Sequence, residues 1–242
     1  MKIRDNHLLN QLNELIDIMH KLPQKKYDRT KRQYSIEKEE AVSKEYLKSM
    51  QEKCLKNFPN NGPPDHHLGS DLILGAERVH FDAIKRIVDG LGTHMSANRN
   101  ALISFYPPGG YIAWHHNADV PGRNVLFTWS ETGEGSFNYH NDVTGTDVNI
   151  PDVPGWSAKS LYYFGHQNAK KTGYSWHSAE TTCNRFTIAF VLTRSHWDIS
   201  SQDSSHFSDD LPHDFLPKHT LEMFEDEFDI EEDKIYDKGM FL

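Results

Sequence analysis

From residue 101 onward the apolar residues of this 242-residue chain recur at every second position, and turn-forming residues interrupt them at short intervals. Alternation of that kind turns one side of a strand toward a core and the other away, which a helical period cannot reproduce. Seven segments carry it: 101–106, 111–117, 124–130, 136–139, 160–164, 174–178 and 185–193. Pro107-Pro-Gly-Gly110 and Thr132-Gly-Glu-Gly135 are tight breaks between them. Short strands at this spacing predict a mainly β chain, folded as an antiparallel sandwich or barrel. Residues 141–157 read as a long polar connection, which either covers a site or makes a plain surface excursion.

Ahead of this region the period is helical. Within 5–22, Leu8, Leu12, Leu15, Ile16 and Met19 fall on one face, with Asp5 as a cap and Pro23 as a stop. Residues 36–57 make a second, more charged helical segment, after which Asn60-Asn-Gly-Pro-Pro64 breaks the chain. Val79, Ala83, Ile84, Ile87, Val88 and Leu91 form another stripe, ended by Gly90 and Gly92. A helix packed on the outside of the sheet is expected there.

Charge narrows the choice of partners. The formal net charge is −9, and residues 206–242 carry all of it, with twelve acids against three lysines. The remaining body is neutral and has no basic footprint for gripping a duplex, which argues against nucleic acid. The basic cluster from Lys21 to Arg32 reads as a solvated loop or a contact for an acidic partner. Phe215, Leu221, Met223, Phe224, Phe228 and Ile230 in the tail suit an amphipathic helix, packed on the body or on another subunit in a homo-oligomer. A disordered acidic tail is the alternative. No apolar run is long enough to cross a membrane, no signal-peptide segment opens the chain, and two cysteines make no disulfide framework. A cytoplasmic protein is the expectation.

The chemistry is concentrated in Tyr106-Pro-Pro-Gly-Gly-Tyr-Ile-Ala-Trp-His115-His116-Asn117-Ala-Asp119 and in Trp176-His177-Ser-Ala-Glu-Thr-Thr-Cys-Asn-Arg185-Phe-Thr187. On an unbroken strand Tyr111, Ala113, His115 and Asn117 share one face and Ile112, Trp114 and His116 the other. His115 with Asn117 or Asp119, joined by His177, offers two imidazoles and one oxygen donor, an arrangement suited to non-haem Fe(II). Fifteen histidines make chance pairs common, and His66, His67, His94, His140, His166 and His206 read as ordinary polar or core residues. Cys183, between His177 and Arg185, reads as a small core or loop residue, with a soft metal ligand as the alternative.

The order of Tyr, Pro/Gly turn, His-x-(acid position), long gap, His and Arg resembles the Fe(II)- and 2-oxoglutarate-dependent oxygenases, specifically their prolyl-hydroxylase-like branch. The Trp-His-x-Asn-x-Asp-x-Pro-Gly stretch also looks like bacteriophage-encoded members. The resemblance covers roughly residues 100–194, about two fifths of the chain. It implies a double-stranded β-helix (jelly-roll or cupin-like) core at 96–196, a helical N-terminal region at 1–95 packing on it, and an acidic extension at 197–242. Its implied apparatus is His115 and His177 on iron, with Arg185 and Thr187 on the distal carboxylate of 2-oxoglutarate and Tyr106 reaching the same group. One departure stands out: the usual carboxylate position holds Asn117, so the third ligand is Asn117, Asp119 or water.

The implied activity is hydroxylation of a C–H bond with O2, 2-oxoglutarate becoming succinate and ascorbate serving as a reductant. A peptide or protein side chain is the first substrate class and a small metabolite the second. Arg123 is a candidate clamp for substrate or a salt-bridged turn residue, and Asn138 and Tyr139 are candidate polar contacts. Trp114, Trp129, Trp156, Tyr162, Tyr163 and Trp176 are expected to be mostly core. A non-catalytic jelly-roll binding or assembly module is the reading from a different class.

Overall fold

The computed structural model describes residues 2–21, 37–56, 78–115, 122–141, 144–163, 176–192 and 223. Among the described residues four helices come first: α1 (Asn6–Lys21), α2 (Lys38–Ala41), α3 (Lys44–Lys56) and α4 (Arg78–His94). Eight strands follow among the described residues: β1 (Ala97–Tyr106), β2 (Tyr111–His115), β3 (Gly122–Ser130), β4 (Gly135–Asn141), β5 (Thr146–Pro151), β6 (Gly155–Tyr163), β7 (His177–Thr181) and β8 (Arg185–Leu192). They form two antiparallel four-stranded sheets, ordered β1-β8-β3-β6 and β2-β7-β4-β5. Successive strands alternate between two facing layers except at the β4–β5 hairpin, which stays within one sheet, and this is the double-stranded β-helix.

Each sheet has a helix-covered outer face. On β8, Phe186, Ile188 and Phe190 point out toward Leu8, Leu12 and Leu15 of α1 and Ile84 and Leu91 of α4, all within one buried cluster. Asp5 caps α1 by accepting a bond from the Leu8 amide at 2.9 Å. Each of those leucines, removed from water, contributes about 1.5–3 kcal/mol. Behind the second sheet, Ala41, Tyr46, Leu47 and Met50 from α2 and α3 cover Tyr111, Ala113, Trp114 and Trp176. A third cluster, including Tyr106, Ile112, Leu126, Phe137, Ala179 and Ala189, lies between the sheets.

Two sequence expectations are corrected. The last helix does not stop at Gly90 or Gly92 but runs to His94. Gly90 lets α1 approach closely, since a Cβ there would stand 3.1 Å from the Gln11 side chain, whereas Gly92 faces the Phe190 ring of β8. Residues 141–157 are not one long connection: β5 and the start of β6 occupy most of them. β5 is an edge strand, where Pro151 withholds no interior ladder bond. At one residue the acidic extension packs on the body, as one expectation had it: Met223 is buried in the α1/α4 cluster, and its carbonyl accepts bonds from the Arg4 and Asp5 amides at 2.7 and 3.3 Å. Pro23, the Lys21–Arg32 loop beyond Lys21, the Asn60–Pro64 break and the rest of the tail lie outside the described residues.

Candidate functional site

Two imidazoles meet across the β2–β7 ladder. His115 is the register partner of His177, their ring centroids are 4.1 Å apart, and both residues are buried. The expected face pattern of β2 is wrong, and the error explains how the pair forms. Ile112 pairs with Ala179 and His115 with His177, so three steps along β2 match two along β7. The extra residue is a bulge, which reverses the alternation. Tyr111, Ala113 and Trp114 all pack outward on α2 and α3, while Ile112 points between the sheets. Without the bulge, an inward Ile112 would bring Trp114 inward and turn His115 out. The Trp114 indole Nε1 donates to the Val42 carbonyl at 2.9 Å and ties the bulge to the α2–α3 connection.

The His115 ring is oriented by its own strand. Nδ1 lies 2.7 Å from the Ala113 carbonyl, an acceptor only, so Nδ1 carries the proton and the ring's lone pair sits on Nε2. His177 stacks on Phe137, with centroids 5.6 Å apart and planes inclined by 24°. Tyr139 is the β4 register partner of His177 and projects to the same inner face, where it packs against the inter-sheet cluster. Asn138 does not: its amide donates to Ser178 and accepts from Asn149 on the outer face, so alternation removes it from the interior. Among the described residues no third His, Cys, Asp or Glu joins the imidazoles. Asn117 and Asp119 lie outside the described residues, as does the side chain of Arg123.

The facing sheet presents a buried arginine. Arg185, 1% exposed, opens β8 on its inner face, flanked by Tyr106 of β1 and Ser130 of β3. Thr187 shares that face and accepts from Nη1 at 2.8 Å; Thr128 stands 3.5 Å from Nη2. The guanidinium carbon is 5.3 Å from the centre of the Tyr106 ring, within cation–π range. The resemblance-based grouping of Arg185, Thr187 and Tyr106 is thus a physical cluster.

Two members of this cluster escaped sequence reasoning. Arg185 Nε donates to Asp152 Oδ2 at 2.7 Å, and Lys159 Nζ donates to Asp152 Oδ1 at 3.1 Å. The Asp152 and Lys159 side chains are 0% and 9% exposed. Burial opposes the Asp152 charge, but Arg185 and Lys159 outweigh it and hold the carboxyl below the usual range. Burial pushes the Lys159 ammonium down, and Arg185 adds to this while Asp152 works against it. Gly135 makes room for the carboxylate: a Cβ there would lie 2.6 Å from Asp152 Oδ2. The signal in the sequence was the alternation Asp147-Val-Asn-Ile150, a strand that delivers Asp152 just beyond its end.

Cys183 is buried in the β7–β8 turn among hydroxyls, with Ser130 Oγ at 3.3 Å and Thr181 Oγ1 at 3.5 Å. Burial raises the thiol's pKa, but hydrogen bonds from Ser130, Thr132 and Thr181 more than offset this and bring it down to about 6. Its partners are structural hydroxyls, in keeping with the loop reading. Trp114 and Trp176 are core as expected, and Trp129 and Trp156 are half-buried against the α1/α4 cluster. No helix among the described residues is long and apolar enough to cross a membrane.

No protein-family model matches this chain, and no curated protein does. Solved structures show weak likenesses in shape. A Pseudomonas putida prolyl-4-hydroxylase is 14% identical, covering 64% of this chain and 90% of its own, with a TM-score of 0.28. The dioxygenase for auxin oxidation in rice is 13% identical, covering 78% of this chain and 69% of its own, with a TM-score of 0.33. TmCBM61, solved with β-1,4-galactotriose, is 12% identical, covering 54% of this chain and 89% of its own, with a TM-score of 0.28. Two oxygenases and a sugar-bound protein share this likeness, which does not choose between them.

Proposed function

We propose that this protein is an Fe(II)- and 2-oxoglutarate-dependent oxygenase that hydroxylates a C–H bond of a peptide or protein side chain. The observation that carries the reading is the pairing of His115 with His177 on one inner face while Arg185 and Thr187 occupy the inner face opposite. The donor set fits the metal: two neutral imidazoles on adjacent strands, one fixed in its tautomer by a backbone carbonyl. Asn117, Asp119 or water completes the set. When bound, iron supplies the coupling of O2 and 2-oxoglutarate to succinate, CO2 and a hydroxylated product.

The chain's own residues supply position and charge. His115 and His177 hold the metal between the sheets, away from bulk water. Arg185 and Thr187 bind the distal carboxylate, a planar cation being suited to a two-oxygen anion and the hydroxyl adding direction. Tyr106 supports the guanidinium through its ring. Tyr139, beside His177, is a substrate contact in this reading.

The test is anaerobic addition of Fe(II) and 2-oxoglutarate. The wild-type chain gains a weak visible charge-transfer band and converts 2-oxoglutarate slowly to succinate once air is admitted. His115→Gln and His177→Gln lose both while keeping their circular dichroism. A wild-type chain with neither band nor turnover returns the fold to the binding-module class.

A further inference from the structure

Arg185, Asp152 and Lys159 form a chain of buried charges with an odd count. Asp152 is shared, one carboxylate oxygen taking Arg185 and the other Lys159. Both carboxylate oxygens are therefore engaged, yet two cations face one anion. The remaining bonds of Arg185 go to neutral hydroxyls, Thr187 and Thr128. No other ion pair among the described residues includes Arg185 or Lys159. Among the described residues the cluster thus keeps a formal charge of +1, in a setting where isolated charge is costly.

The geometry keeps this charge toward the interior. Lys159 is the β6 register partner of Leu126, which lies between the sheets, while the adjacent Ala158 packs on the helical side. Lys159 therefore projects to the same layer as Arg185, from the strand on the far side of β3. Asp152 alone cannot neutralise both. A second carboxylate would complete two cations with two anions.

On the basis of the proposed function, we propose that Lys159 is a specificity-determining residue: with Arg185, across Asp152, it makes an anchor that demands a dicarboxylic 2-oxo acid. Asp152 is the positioning residue that orients the two cations. The lysine's depressed pKa agrees with this: burial, with Arg185 adding to it, outweighs the one carboxylate beside the ammonium.

The experiment compares two keto acids that share the metal-binding end and differ in the distal group. Affinities of 2-oxoglutarate and 2-oxobutyrate are measured anaerobically by calorimetry on the full chain loaded with Fe(II). Lys159→Met leaves Arg185 and Asp152 as a neutral pair, so the fold is retained, as melting temperature verifies. This variant should lose about ten- to a hundredfold of the preference for 2-oxoglutarate, the range of one hydrogen bond to a charged group. Binding of 2-oxobutyrate should stay within about twofold, since it makes no use of the lost charge. Lys159→Arg should restore most of the preference. An unchanged preference in Lys159→Met overturns the proposal, as does an equal loss of both ligands, the signature of a merely structural lysine. A wild-type chain that binds neither keto acid overturns the oxygenase reading itself.

Discussion

At the scale of single residues, the described part of the site depends on polar groups that cannot be moved independently. Asp152 is wedged against Gly135, where a methyl group would meet Asp152 Oδ2 at 2.6 Å and the Glu180 carbonyl at 3.0 Å. Gly135→Ala should therefore destabilise the fold by about 1–3 kcal/mol in urea titration. It should also weaken 2-oxoglutarate binding, because Asp152 is the group displaced. A substitution such as Lys48→Ala, on the exposed face of α3, should do neither. The residue types here were legible: His115, His177, Arg185, Thr187 and Tyr106 were all singled out from their order. Asp152 and Lys159 were not, because their significance comes from pairing with a residue 33 positions away from the aspartate.

At the scale of elements, the β2 bulge is the device that makes the site. Strand alternation read from sequence assigns Ala113 and His115 to one face, and the structure separates them. A bulge leaves little mark in a sequence, since it is selected by what the neighbouring strand and helices require. Here the requirement is the Trp114 indole, drawn outward to the Val42 carbonyl. Trp114→Phe keeps the ring and removes the donor. It should cost about 0.5–1.5 kcal/mol of stability. If the bulge holds His115 inward, Fe(II) affinity should fall with it, measured by competition with a chelator. Unchanged iron affinity alongside lost stability would detach the bulge from the metal site.

At the scale of the whole molecule, two sheets and two sets of helices enclose charge that solvent would otherwise stabilise. The Asp152 carboxyl is held below its unfolded value of about 3.9. Its contribution is present above that pH and is lost as pH falls through the folded value, because the unfolded chain binds the proton first. Asp5, lowered by the Leu8 amide and His94 despite partial burial, acts in the same direction at the start of α1. Unfolding free energy should therefore decline as pH drops below about 4. Asp152→Asn should flatten that decline and lower stability at neutral pH by about 3–5 kcal/mol, leaving two buried cations unpaired. An unaltered acid profile in this variant would show that Asp152 is not the controlling group.

The sequence alone determined the alternating strands, the α1 stripe of Leu8, Leu12 and Leu15, and the cap at Asp5, because each follows from local periodicity and short-range hydrogen bonding. It also carried the residue types that converge on the interior. Tertiary structure decided which way those side chains point. The bulge, the meeting of Asp152 with Arg185 and Lys159, and the outward turn of Asn138 all depend on register between strands distant in the chain. Register is settled by packing and pairing across the sheets, and no local window contains it.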